Sequence, residues 1–437
     1  MAPSPPAVTD GSKTWSPSHL FFDDDADDDN TASPETWDRI HAHLRENEFR
    51  AAITTAFELP AGDNFTYHAT ASVNLAQAEA AVRAGRKNGL HAWYVEAADT
   101  SGAGSTDAAG QSGDGDGDGD ERTIPGQPSL RISGYPPPSD IQAYISIFDP
   151  TKSAANSLKS LAANAKKGSL RAGVAEYLLK KRHLDPSITV PKFKPLPTAG
   201  GGGGGGNAAQ QDGSDGKKQQ QQHENPALEF WAYSCMALEF AGPNVHTAQV
   251  KMSHHLLPVY MHHFGCVCPS WEALQVIAKL AASITKTGNG GSGGKGAVLD
   301  MGSGNGYWTH LLRRLGTVSV TAVDSGQSRW RTVWIPDTQV SDGVSYLRKR
   351  AGCPDSLLLL VYPIVGGEFT RKVLDAYAGD VVCVAGTQNG NGYTGFKDVM
   401  VDEYMAREKP RWDKVAQVAL PSFAGKDDAL FAFRRRR

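Results

Sequence analysis

The sequence predicts an α/β protein whose second half carries a mostly parallel, doubly wound sheet ending in an antiparallel hairpin, preceded by a helical N-terminal region. Three observations carry that prediction. Apolar runs at Ala297–Leu299, Val318–Val323, Ser356–Pro363 and Val381–Ala385 alternate with stretches of helical spacing, as strands buried on both faces do. The first run opens onto glycines at alternate positions, Gly302, Gly304 and Gly306, before a helical pattern begins. Val415–Leu420 and Ala429–Phe433 read as a hairpin, and the four closing arginines as a solvated terminus.

Residues 1–33 are rich in Pro, Ser and Asp and are expected to be disordered, since they cannot bury enough apolar surface to order themselves. Residues 34–183 are expected to be mostly helical. Pro34–Leu59 places Trp37, Ile40, Leu44, Phe49 and Ile53 near one face, Asn74–Ala97 is a second patch, and Ile141–His183 a third that Pro186 closes. Within this half, 102–120 is a Gly/Asp-rich low-complexity loop. Asp114, Asp116, Asp118 and Asp120 alternate with glycine as in a calcium loop counted from Asp114, but the twelfth position is Pro125, where a bidentate Glu is required. A flexible acidic loop is the better reading. Residues 184–225, with Gly200–Gly206 and Lys217–Gln222, are expected to be a disordered linker.

A helical cap is expected over 226–285. Leu228, Trp231, Ala232, Cys235 and Leu238 mark one helix ended by Gly242-Pro243, and Thr247–His263 a second that Pro258 would kink. A third starts at Ser270 as N-cap, with Trp271, Leu274, Ile277, Ala278 and Ala281 on its apolar face. His254, His255, His262, His263, Cys266 and Cys268 are zinc-ligand types, but the cysteines are spaced C-x-C and no second knuckle follows, so no metal is assigned. The net charge of −3 implies neither a nucleic-acid nor an anionic-membrane partner. Five cysteines without a disulfide framework point to a reducing, cytoplasmic compartment, and neither a membrane span nor a signal peptide is apparent. No feature specifies an oligomeric state.

The candidate site begins where the first strand meets Asp300, Met301, Gly302, Ser303, Gly304, Asn305, Gly306 and Tyr307. Trp308, Leu311, Leu312 and Leu315 then recur at helical spacing, with Gly316 as C-cap. A dinucleotide fingerprint, G-x-G-x-x-G, would put its last glycine at Tyr307; here the order is G-x-G-x-G. The second strand ends at Asp324, the position at which doubly wound nucleotide sites place a carboxylate for ribose hydroxyls, although a helix N-cap is the alternative. Beyond it the next helix is short or missing, and Asp342-Gly343 precedes helical Val344–Arg350, again with an N-cap reading open.

This loop, with Asp300 before it, resembles motif I of the class I S-adenosylmethionine (SAM) dependent methyltransferases, which cradles the amino acid end of a ligand without phosphate. The likeness extends through Val323-Asp324, Leu360-Val361-Tyr362-Pro363, Tyr377-Ala378-Gly379-Asp380 and Tyr393-Thr394-Gly395, and is similar over about residues 264–433 to a broad group of methyltransferase-like proteins. The resemblance implies a Rossmann-like class I methyltransferase sheet over 286–437 and SAM as cofactor. It implies cofactor contacts at Asp300, Gly302, Ser303, Gly304, Asn305, Gly306, Tyr307, Asp324, Asp342 and Gly343, with Asp342 facing the adenine. Many amino-group methyltransferases carry D/N-P-P-Y/F after the fourth strand; this chain has Val361-Tyr362-Pro363-Ile364, with no Asp or Asn to hold an amine. It departs again at Ala385-Gly386-Thr387, where a Gly-Glu pair is usual. Tyr362 is the residue expected at the transfer site, without an assigned general base. The expected function is SAM-dependent methyl transfer to an acceptor, small molecule or protein, that the sequence does not name; the alternative is a catalytically inactive SAM-binding or scaffold protein.

Overall fold

The computed structural model describes residues 34–69, 71–97, 130–193, 225–287, 295–328, 330–365 and 368–436. The expected disordered start at 1–33, the loop at 102–120 and positions 194–224 of the expected linker lie outside the described residues.

The first helical patch forms two helices, α1 (Pro34–Arg45) and α2 (Phe49–Ala56), because Asn47 turns the chain with φ of +58°. A small ladder, β1 (Tyr67–His68) with β2 (Ser72–Val73), leads into α3 (Leu75–Ala84). A capping box starts that helix: Gln77 N donates to Asn74 Oδ1 and Asn74 N donates to Gln77 Oε1. The helix expected to reach Ala97 stops early, since Gly85 and Gly89 take positive φ, and the chain returns as β3 (Val95–Ala97) against β4 (Leu130–Ile132). The third patch is likewise divided into α4 (Pro138–Ile145), α5 (Ala154–Ala163) and α6 (Leu170–Lys181).

The short strand β5 (His183–Leu184) joins the edge of the main sheet. Residues 184–193, expected to open a disordered linker, are therefore held on the fold: Ile188 is buried and Trp271 Nε1 donates to Pro191 O at 2.8 Å. The prolines of this stretch concealed an apolar set, Leu184, Ile188 and Val190, that packs on the core.

After α7 (Pro226–Ala237), α8 (Leu256–Phe264) starts nine residues later than its expected helix, so Pro258 falls in the first turn and removes no helical hydrogen bond. α9 (Trp271–Thr287) is capped as expected, Ala273 N donating to Ser270 Oγ at 3.2 Å. Its buried Leu274, Ile277, Ala278 and Ala281 lie against the sheet, so this helix belongs to the sheet's own flank.

The second half runs β6 (Gly296–Met301), α10 (Tyr307–Arg314), β7 (Val318–Asp324), β8 (Gln339–Val340), α11 (Gly343–Arg348), β9 (Ser356–Val361), α12 (Phe369–Ala376), β10 (Val381–Thr387), α13 (Val401–Glu408), β11 (Trp412–Ala419) and β12 (Asp428–Arg435). The sheet order is β5-β11-β12-β10-β9-β6-β7-β8. Pairs among β6 to β10 are parallel, and β12, β11 and β5 add antiparallel strands, which makes a mixed α/β fold with a mostly parallel centre. Arg434 and Arg435 lie within β12, and the Arg435 guanidinium sits 4.7 Å from the Trp412 ring centroid. The arginine run is thus partly structural rather than wholly a solvated end.

Alternation divides the sheet's two faces. Leu357 and Leu359 point into a core shared with the N-terminal helices, α9 and α10, while Leu358 and Leu360 point into a second core under α11, α12 and α13. Among the described residues the N-terminal half forms no separate core. Phe57, Trp93, Tyr144 and Trp231 are fully buried in the first cluster, and each such side chain contributes on the order of 2–3 kcal/mol by removal from water.

Candidate functional site

The strand order reverses around β6, with β7 and β8 on one side and β9 and β10 on the other. Doubly wound sheets bind ligands in the crevice beyond the carboxyl ends of the strands at such a point. A cleft of about 570 Å³ lies there, lined by the β6–α10 loop, the ends of β7 and β9, the start of α11, Phe369 of α12 and Phe264-Gly265-Cys266 after α8.

Gly302, Gly304 and Gly306 all have φ in the left-handed region. At Gly304 a Cβ would approach the Trp330 ring to 3.0 Å, and at Gly306 it would meet Ile335 Cγ1 at 2.4 Å. Glycine is required twice over there, by torsion and by space. Most of the loop's amides are already engaged: Gly302 N and Ser303 N donate to Val323 O at 2.7 and 3.2 Å, Gly304 N donates to Asp324 Oδ2 at 3.0 Å, Gly306 N donates to Ser303 O at 3.0 Å, and Tyr307 N donates to Asn305 Oδ1 at 3.2 Å.

Gly302, Ser303, Gly304, Asn305, Asp324, Asp342, Gly343 and Tyr362 all line the cleft. Asp324 is tied to two backbone amides, Gly304 N and Gly326 N, the second at 2.8 Å to Oδ1. Asp342 caps α11, accepting from Ser345 N at 2.8 Å, as the N-cap reading expects, and it also lines the cleft. The Ser345 amide holds its carboxyl below the usual range. Ser303 Oγ is buried without a hydrogen-bond partner among the described residues, an orphan a ligand would satisfy.

Three expected contacts face elsewhere. Asp300 is fully buried beneath the loop, where its Oδ2 accepts from Thr309 Oγ1 at 2.6 Å and burial pushes its pKa up to about 7. Tyr307 points into the helical layer, donating to Asn225 Oδ1 at 2.7 Å and accepting from Ala227 N at 3.2 Å. Gly306 packs on Ile335 and does not line the cleft. For Asp300 and Tyr307 the physical reason is shared: β6 is central and α10 lies on one sheet face, so side chains directed at that face meet core rather than crevice.

Tyr362 directly follows β9 with φ of +47°, a conformation costly for a bulky residue and held by its N–H donating to Ala385 O at 2.8 Å. Its hydroxyl accepts from Lys426 Nζ at 3.0 Å. The sequence reading missed Lys426, which no motif marks, and also Trp330, Phe369 and Cys266 as cleft walls. Burial alone would pull the Lys426 ammonium down, but Tyr362 and Asp428 outweigh it and leave the pKa above its ordinary value. Burial pushes the Cys266 thiol up to about 11.

Above the cleft residues 325–328 and 330–338 are irregular, and Trp330 lines the wall. Its neighbour Arg331 is buried and grips Asp63 in two bonds of 2.9 and 2.5 Å, with Tyr67 at 2.5 Å from the same guanidinium. The N-terminal half thereby anchors the cleft's roof. His263 serves this network rather than a metal: Nε2 lies 3.1 Å from Tyr67 Oη and Nδ1 2.8 Å from Thr332 Oγ1. Among the described residues no group of three or more His, Cys, Asp or Glu is arranged to hold a metal ion, and no helix is long and apolar enough to cross a membrane.

No family model matches this chain, and no curated protein matches it. Solved structures similar to it include magnesium protoporphyrin IX methyltransferase from Synechocystis PCC 6803 with bound SAM, at 10% identity over 44% of this chain and 88% of that one, with a TM-score of 0.27. A 1,6-didemethyltoxoflavin-N1-methyltransferase from Burkholderia thailandensis is 14% identical over 38% of this chain and 79% of that one, TM-score 0.25. A ribosomal protein L11 methylase from Lactobacillus delbrueckii subsp. bulgaricus is 12% identical over 39% of this chain and 82% of that one, TM-score 0.22. Each likeness leaves more than half of this chain unmatched.

Proposed function

We propose that this chain binds S-adenosylmethionine in the cleft and transfers its methyl group to an acceptor. The observation that carries the reading is the charge of the site. Among the described lining residues the charged side chains are Asp324 and Asp342, with no Lys, Arg or His. A dinucleotide brings two phosphate charges and needs free amides or cations to receive them. Here the amides of Gly302, Ser303, Gly304, Gly306 and Tyr307 are occupied and a carboxylate stands at the loop. A ligand with a cationic amino acid end and a vicinal diol suits that environment, because carboxylates accept from ammonium and hydroxyl donors.

In this reading Asp324 receives the ribose hydroxyls, Asp342 and Gly343 border the adenine, and Gly302, Ser303 and Gly304 border the amino acid end. Bound there, the cofactor supplies an electrophilic methyl on a sulfonium. The protein's work is to align the acceptor beside Tyr362 and exclude water, which the apolar walls Trp330, Phe369 and Pro363 favour. A binding protein without turnover is the second reading, favoured by the absence of an Asp or Asn before Tyr362.

Calorimetry on the whole chain with SAM, S-adenosylhomocysteine and NAD tests the proposal. Micromolar binding of either adenosyl ligand is expected, weakened roughly 10- to 150-fold by Asp324→Ala, the worth of one charged hydrogen-bonding group. NAD binding instead, or no adenosyl binding, would overturn it. Binding without any consumption of SAM in the presence of acceptors would support the second reading.

A further inference from the structure

Resting on the SAM reading, we infer that the acceptor is a small apolar carboxylic acid taken as its anion, and that Lys426 is a positioning residue which sets Tyr362 to hold it. Lys426 sits in the turn between β11 and β12, fixed by its N–H donating to Phe423 O at 2.8 Å and by Gly425, whose φ is +78° and whose Cβ would meet Met252 O at 3.1 Å. Its Nζ lies 3.0 Å from Tyr362 Oη and 5.0 Å from the ring centroid. An ammonium only donates, so the phenol oxygen accepts and the hydroxyl's own proton is left for another partner. Among the described residues none takes it, and Tyr362 faces the cleft. What Tyr362 offers an acceptor is a donor backed by a cation.

The groups around that cation are Tyr362, Asp428, Cys266 and His254. Asp428 is buried to 1% exposure, does not line the cleft and supports the ammonium's charge. His254 is fully buried with neither ring nitrogen hydrogen-bonded among the described residues, and it too lies outside the cleft. On the β9 side of the cleft, the titratable lining groups are Tyr362 and Cys266 alone. Burial keeps the Cys266 thiol protonated at neutral pH, with its pKa pushed up to about 11. An alcohol or an ammonium would have to lose a proton before its oxygen or nitrogen could attack. A carboxylate has none to lose. Its oxygen lone pair forms the C–O bond to the methyl carbon, the S–CH3 bond breaks, and that electron pair returns to sulfur. Anion and sulfonium become ester and thioether with charge conserved. Ile364 and Val365, 68% and 44% exposed at the mouth, with Pro363 and Phe369, provide an apolar wall for the rest of the molecule.

The test uses the full chain and two probes, benzoate and octanoate, against the isosteric benzamide and octanamide. Calorimetry first establishes S-adenosylhomocysteine binding; its failure overturns the SAM reading and this inference with it. On protein saturated with that ligand, carboxylates are expected to bind at least tenfold more tightly than the amides. Lys426→Met should remove most of that preference while leaving the adenosyl affinity unchanged, and Lys426→Arg should restore part of it. Tyr362→Phe, which keeps the ring, provides the same readout should Lys426→Met not fold. With labelled SAM, product radioactivity should be released as methanol by mild alkali, as methyl esters release it. Adenosyl binding without a carboxylate preference, an unchanged preference in both variants, or alkali-stable label would overturn the inference while leaving the SAM reading intact.

Discussion

Removing the carboxylate from the buried Asp63–Arg331 pair tests whether the N-terminal half builds the cleft or merely adjoins it. The two side chains are 2% and 0% exposed and joined by two bonds, one from each terminal guanidinium nitrogen, with the guanidinium also 4.6 Å from the Phe65 ring centroid. Asp63→Asn leaves a buried guanidinium without its counter-charge, which costs about 3–5 kcal/mol. Replacing both partners, Asp63→Leu with Arg331→Met, removes the charge from both sides and should recover to within about 1 kcal/mol of the parent or better. Urea unfolding of the parent, of Asp63→Leu and Arg331→Met singly, and of the double variant reads this directly, with a coupling of at least about 2 kcal/mol expected from the cycle. Because Trp330 adjoins Arg331 and lines the cleft, the single variants should also weaken S-adenosylhomocysteine binding. Single-variant losses below about 1 kcal/mol, or additive effects, would refute the claim that this pair anchors the roof.

Other outcomes follow from individual positions. Tyr362→Gly and Tyr362→Ala lose the same ring, so the glycine variant should be the more stable by about 1–2 kcal/mol if φ of +47° is strained; equal unfolding midpoints would count against strain. Gly306→Ala should destabilise the chain by at least about 2 kcal/mol, since the added carbon meets Ile335 at 2.4 Å in a left-handed residue, and a thermal scan checks it. Asp300 contributes a pH dependence. Burial raises its folded pKa to about 7 from 3.8, so the folded chain keeps a proton that the unfolded chain releases, and stability falls as pH rises between those values, by at most about 1.4 kcal/mol per unit. Asp300→Asn should flatten that slope; urea midpoints from pH 4 to 8 that run parallel in both proteins would contradict it.

What the sequence determined by itself is local. Periodicity placed four of the five parallel strands, because a strand buried on both faces must be apolar throughout, and the closing hairpin followed from its two strand-like runs. The glycines at 302, 304 and 306 specified a left-handed, close-packed loop, and Asp324 was placed at the cleft by its position at a strand end. Tertiary structure alone decided which way the loop's side chains face: Asp300 and Tyr307 stand in the same motif as Ser303 and Asn305, yet packing on one sheet face turns the first two into core. It also decided the long-range pairs. Lys426 and Tyr362 are 64 residues apart, and Arg331 and Asp63 are 268 apart. Helical and strand periods relate residues only a few positions away, whereas a contact across such distances exists only once the whole sheet and its helical layers have closed around it.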